Sequence, residues 1–132
     1  MPGGRRLTDR ILVATAGSGA DRHVAGVAAQ LAAAAGGTLT LMHVEGPGGP
    51  AVRHELALEA SDVAAITGTD PVVAVVRGHG AEPIIDTAGE LGATLLVLGS
   101  RGLTGVHALA SVSERVGAGA PCPVLVVRDL RA

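Results

Sequence analysis

Residues 95–116, LLVLGSRGLTGVHALASVSERV, decide how the rest of the chain is read. The run 95–98 (LLVL) is apolar without interruption, which predicts a parallel strand buried on both faces rather than an alternating, half-exposed one. Polarity then changes sharply: Gly99, Ser100, Arg101, Gly102 and Gly105 bring backbone freedom, a hydroxyl and a cation to the carboxyl end of that strand. In an open α/β sheet this end is where ligands sit. Farther on, Ser111 and Glu114 have the S-x-x-E spacing of a capping box, which predicts a helix start at Ser111 with its first N–H groups turned toward the loop. A helix start of that kind attracts anions.

Working outward, apolar runs alternate with helical patterns. Residues 11–14 (ILVA) predict the first strand, and Ser18 and Asp21 form an S-x-x-D cap after the Ala16–Gly19 turn. Val24, Val27, Leu31 and Ala35 recur at helical spacing until Gly36 and Gly37. A second strand over 39–44 (LTLMHV) and a glycine- and proline-rich connection over 46–50 follow. Val52, Leu56, Ala60 and Val63 mark a second helix, and 72–76 (VVAVV) is β-branched enough to predict a third strand. Pro83 suits a helix's first turn, Ile84, Ile85, Ala88 and Leu91 supply its buried stripe, and Gly92 ends it. After the helix from Ser111, the Pro121-Cys122-Pro123 turn leads to a fifth strand, Val124–Val127. This alternation predicts an α/β domain with a parallel sheet and helices on both faces, over 9–128, with a disordered leader at 1–8 and a short tail at 129–132.

Composition narrows the function classes. A chain of 132 residues suffices for one domain with its own core. Aromatic residues are absent, so no platform exists for stacking exposed bases, and a formal net charge of -2 without lysine leaves no polyanion footprint. Neither RNA nor DNA is expected as a partner. The single cysteine, Cys122, excludes an intrachain disulfide and fits a reducing, cytoplasmic setting. No signal-peptide core follows the MPGGRRLTDR start, and the alanine-rich run over 24–35 is too short for a membrane span. His23, His54, His79 and His107 share no ligand spacing, and no metal set is expected.

The pieces ILVAT, LTLMHV, the helix after Glu82, LLVLGSRGLTG, SVSERV and PCPVLVV, in that order, resemble a universal stress protein domain over about residues 9–128. The resemblance implies a Rossmann-like sheet of strand order 3-2-1-4-5, as in adenine nucleotide alpha hydrolase-like proteins, and a cytoplasmic homodimer. The switch point then falls between the loops after strands one and four. It also implies an ATP or ADP site, Mg2+ accompanying the nucleotide, in which adenine meets the main chain at Val44. Phosphates would meet Gly99, Arg101, Gly102, Ser111, Val112 and Ser113. The family's ATP-binding pattern is G-x-x-G, nine residues, then G-[ST], with an Asp after the first strand. Here Gly99 and Gly102 match, seven residues (103–109) separate them from Ala110-Ser111, and Ala16 stands where the Asp would be. Losing a charge-assisted hydrogen bond worth roughly 1.5–3 kcal/mol lowers affinity on the order of 10- to 100-fold.

Each candidate also has a plainer structural role. The glycine loop serves as a tight strand exit, Arg101 as a solvated cation, and Ser111 and Ser113 as helix-capping groups. His43 reads as a satisfied core histidine, and Glu82 and Asp86 as acids complementing a helix dipole. No nucleophile–base pair and no S-G-G-x-D-S loop occurs. Three classes therefore stay open: a stress protein that binds an adenine nucleotide weakly, a dimeric interaction module of the same fold without nucleotide, dimerising through Val124–Val127, and a slow ATPase.

Overall fold

A computed structural model of the protein describes residues 6–15, 21–45, 53–99 and 105–128, with backbone alone for Asp21 and 105–111. Nine elements alternate: β1 (Arg10–Thr15), α1 (Asp21–Ala35), β2 (Thr38–Glu45), α2 (Arg53–Thr67), β3 (Val72–Arg77), α3 (Glu82–Leu91), β4 (Leu95–Gly99), α4 (Gly105–Gly119) and β5 (Val124–Val127). All neighbouring strands are parallel, in the order β3-β2-β1-β4-β5. The expected fold class and strand order are both present. The Ala16–Gly19 turn with its Ser18 cap, the 46–50 connection and the 129–132 tail lie outside the described residues.

Central β1 fixes the register, with Ile11 between Leu39 and Leu95 and Val13 between Leu41 and Val97. Successive side chains of a strand point to opposite faces, so a strand buried on both sides feeds two cores. Ile11, Val13, Leu41 and Val97 pack with Val24, Ala25, Ala28, Ala29 and Ala32 of α1 and with Val63 of α2. Leu12, Met42, Leu96 and Leu98 pack with Ile84 and Ala88 of α3 and Val116 of α4. Each such Val, Leu or Ile contributes about 1.5–3 kcal/mol by leaving water. The small alanines of α1 let that helix lie close against the sheet.

Gly37 and Gly92 are both required by geometry. Gly37 joins α1 to β2 where a Cβ would collide with the Thr8 carbonyl oxygen. Gly92 closes α3 in the left-handed region (φ 64°), and the next N–H, of Ala93, reaches the Ala88 carbonyl at 3.0 Å.

Three expectations need correction. Helix α4 starts at Gly105, six residues before the capping-box position, so Ser111 lies inside it. The intervening V-H-A-L-A run is compatible with helix, and a local cap signal does not stop a helix that can extend upstream. Residues 6–8, read as leader, are tied to the domain: Thr94 Oγ1 donates to Leu7 O at 2.8 Å, and Arg6 N–H donates to Asp9 Oδ2 at 2.9 Å. On α3, Thr87 is buried where Leu91 was expected to be, and Leu91 is exposed at the helix end.

Candidate functional site

The carboxyl ends of β1 and β4 leave the sheet side by side, since Ala14 pairs with Leu98. β1 hydrogen-bonds to β2 on its other side, and the β1–β4 boundary is where the chain order reverses. A crevice outside the strand ends opens at such a reversal.

On the α3/α4 side of this edge the wall is apolar. Val44, Ala14 and Val76 pack into the same cluster as Val112 of α4 and Leu98 of β4. Thus Val44 and Val112, distant in sequence, are brought to one core, with half-buried Gly99 closing β4 and half-buried Ser113 next to Val112. The Ser111 backbone is in α4, while its side chain, like Ala16, Arg101 and Gly102, lies outside the described residues. Since α4 begins at Gly105, the N–H groups of Ser111, Val112 and Ser113 belong to its internal ladder rather than to its open first turn. α3 and α4 are linked across their exposed faces by Arg115 Nη2 donating to Glu82 Oε1 at 3.1 Å. Such an exposed pair orients more than it stabilises.

On the α1/α2 side the same strand ends carry three polar groups, of which the sequence reading singled out His43 but neither Thr15 nor Glu59. Thr15, the last residue of β1, is 6% exposed, His43 is 6% exposed and Glu59 of α2 is fully buried. The Thr15 hydroxyl donates to Glu59 Oε2 at 3.2 Å. His43, the register partner of Thr15, has Nδ1 2.9 Å from the Thr15 carbonyl oxygen. A carbonyl only accepts, so Nδ1 carries the proton. His43 is thus the satisfied core histidine expected of it. Glu59 had one legible signal, an acid at a buried position of the Leu56–Val63 stripe.

Nearby, Arg22 of α1 forks onto Asp62 of α2, with Nε and Nη2 donating at 2.8 and 2.9 Å. The Arg22 hydrogen bond, aided by its charge, holds the Asp62 carboxyl below its ordinary range against a smaller opposing effect of burial. Burial alone pushes the half-buried Cys122 thiol up. His23, His54 and His79 are exposed. Among the described residues no cluster of His, Cys, Asp or Glu could hold a metal ion, and no helix is long and apolar enough to cross a membrane.

Sequence comparison adds what geometry cannot. The profile of the Universal stress protein family matches residues 48–128, and a universal stress protein of Thermus aquaticus is 37% identical over 89% of this chain and 97% of its own length. The chain belongs to the universal stress protein family. The Bacillus subtilis universal stress protein YxiE is 39% identical over 52% of the chain, and the match spans about half of that protein (48%). Among solved structures, a universal stress protein in complex with cAMP superposes with a TM-score of 0.78 at 27% identity, over 91% of this chain and 96% of the other. The universal stress protein from Archaeoglobus fulgidus in complex with dAMP gives 0.71 at 25% identity, over 92% and 99%. The fold of this universal stress protein domain is therefore one that other family members share.

Proposed function

We propose that the protein binds an adenine nucleotide, ATP or ADP, with modest affinity in the crevice between the loops after β1 and β4. One observation carries the reading: solved structures of family members matching more than nine-tenths of this chain are complexes with cAMP and with dAMP. The reversal of strand order at β1 and β4 supports the same place. In this reading the Val44 main chain meets adenine, and Gly99 and Gly102 let the loop approach the phosphates. Arg101 and the hydroxyls of Ser111 and Ser113 face the phosphate charge, with Val112 as apolar support. Mg2+ accompanies a triphosphate, and catalysis is at most slow ATP hydrolysis. Ala16, in the place of the family's Asp, offers the ribose no carboxylate, which is why the affinity is modest.

The proposal extends to a cytoplasmic homodimer joined through β5. The lone cysteine supports the compartment. The edge position of β5, with Leu125 and Val126 exposed, supports the pairing. That exposed edge also favours the second reading, a dimeric interaction module with an empty site, because Ala16, Ala110 and the seven-residue spacing all weaken phosphate and ribose contacts.

Calorimetric titration with ATP, ADP and AMP tests the first reading, together with mass spectrometry for nucleotide that co-purifies. Heat of binding in the wild type, abolished in Gly102→Val, is the expected result. No heat at millimolar nucleotide, in the wild type or in Ala16→Asp, leaves the interaction module.

A further inference from the structure

Strand β3 closes the sheet at the edge away from β5, and no strand among the described residues pairs with its outer side. Val73 and Val75 stand in register with Leu41 and His43 on the α1/α2 side, yet they stay 43% and 40% exposed, and Val72 is 65% exposed. Edge strands are ordinarily blunted by a charge, a bulge or a proline. From Val72 to Val76 there is no charge, and the pairing with β2 runs without a bulge; Pro71 and Arg77 stand only at the ends. One bond shows which main-chain groups face outward: Gly78 N–H donates to Glu45 O at 3.1 Å. Main-chain groups alternate along a strand, so the even-numbered residues turn to β2, and Val73, Val75 and Arg77 offer N–H and C=O to the free edge.

We propose that this edge pairs with β3 of a second copy of the chain, antiparallel and centred on Ala74. Such a pair has its twofold axis normal to the sheet, so residues that come opposite each other face the same side and are both odd or both even in number. Centred on Ala74, Val73 of each copy meets Val75 of the other, both main-chain bonds are exchanged there, and the exposed valines cover one another. Arg77 comes opposite Pro71 of the second copy and next to its Asp70, so opposite charges meet at both ends and none lies in the middle. Centring on Val75 instead would set Arg77 against Val73. A different polypeptide has to reproduce this match, whereas a second copy carries it already. Pro71 gives no N–H, so the bonded row is short and the contact belongs to the range of hundreds of micromolar. It is separate from the contact through β5, at the opposite edge, and copies joined through both edges add in a row rather than closing.

Disulfide trapping tests the pairing, with copper phenanthroline as oxidant and in a Cys122→Ser chain so that each variant holds one thiol. In the proposed register the two Ala74 positions form a non-hydrogen-bonded pair with Cα atoms about 4.5 Å apart, within the span of a disulfide. The two Val72 positions lie roughly 13 Å apart along the strands. Ala74→Cys, at a half-buried position, is therefore expected to give linked dimer on the order of tenfold faster than Val72→Cys, the more exposed thiol. Adding Val75→Lys to Ala74→Cys should remove that advantage. Equal rates, or faster linking through Val72→Cys, mean random collision and overturn the proposal. Fastest linking through Val75→Cys overturns it as well, because the axis then lies elsewhere. If Ala74→Cys fails to fold, light scattering at hundreds of micromolar decides, in a Val126→Lys chain already shown to be monomeric at tens of micromolar. A dimer mass there that Val75→Lys lowers to a monomer mass is the expected result. A monomer without Val75→Lys, or a dimer that Val75→Lys leaves intact, overturns the pairing and leaves the β3 edge to another polypeptide.

Discussion

His43 and Thr15 are partners twice over: they face each other in the β1–β2 register, and the His43 ring donates from Nδ1 to the Thr15 carbonyl at 2.9 Å. The bond is buried, so water does not replace it when it is lost. His43→Leu should destabilise the domain by about 1–3 kcal/mol, read from urea unfolding. An unchanged midpoint would show that the ring contributes only volume there.

Gly37 should tolerate no side chain. Gly37→Ala drives a Cβ into the Thr8 carbonyl, and backbone on both sides has to move. A loss of about 1–3 kcal/mol or more is expected, from overpacking rather than from any loss of contacts. Gly36→Ala beside it makes a useful comparison, because there the space is open and the strain comes from φ of 73°.

Restoring a carboxylate after β1 should strengthen nucleotide binding. Ala16→Asp is expected to tighten ATP by about 1–2 kcal/mol in calorimetric titration, the value of a hydrogen bond from ribose to a charged group. Equal affinity in both proteins would mean that the ribose does not lie beside residue 16.

Val126 is 41% exposed on edge strand β5, and a twofold pairing of β5 would cover it. Val126→Lys places a charge in that contact. Light scattering at tens of micromolar should give a dimer mass for the wild type and a monomer mass for the variant. A wild-type monomer would count against the edge-strand dimer.

Acid should weaken the α1–α2 contact. Because Arg22 holds the Asp62 carboxyl below its ordinary value, the pair contributes stability above that value and loses it as pH falls through the depressed one. The window therefore lies below about pH 4. Both side chains are partly solvated, so the effect is small and screened by salt. Asp62→Asn should flatten the dependence of melting temperature on pH in that window.

The apolar runs at 11–14, 39–44, 72–76, 95–98 and 124–127, with helical periodicity between them, were enough to determine the class of fold, the order of the elements and nearly all their bounds. Periodicity is local, and a strand buried on both faces shows it as an unbroken apolar run. Gly92 and Pro83 were legible for the same reason, since each acts through its own backbone. The start of α4 was not, because the Ser111–Glu114 spacing is a local signal and the helix continues upstream of it.

At the candidate site, Gly99, Val44, Val112 and Ser113 could be named from motif resemblance, but only packing puts Val44 and Val112 in one core. The lock on β1 was beyond the reach of the sequence. Thr15 and Glu59 are 44 residues apart, and Thr15 and His43 are 28 apart. Nothing local marks such pairs, whose members meet only when β2 lies beside β1 and α2 packs over both. The sequence by itself determined the alternation that builds the sheet. Which polar groups share its interior was decided by the tertiary structure, because a buried hydrogen bond depends on where two distant segments come together rather than on the pattern within either.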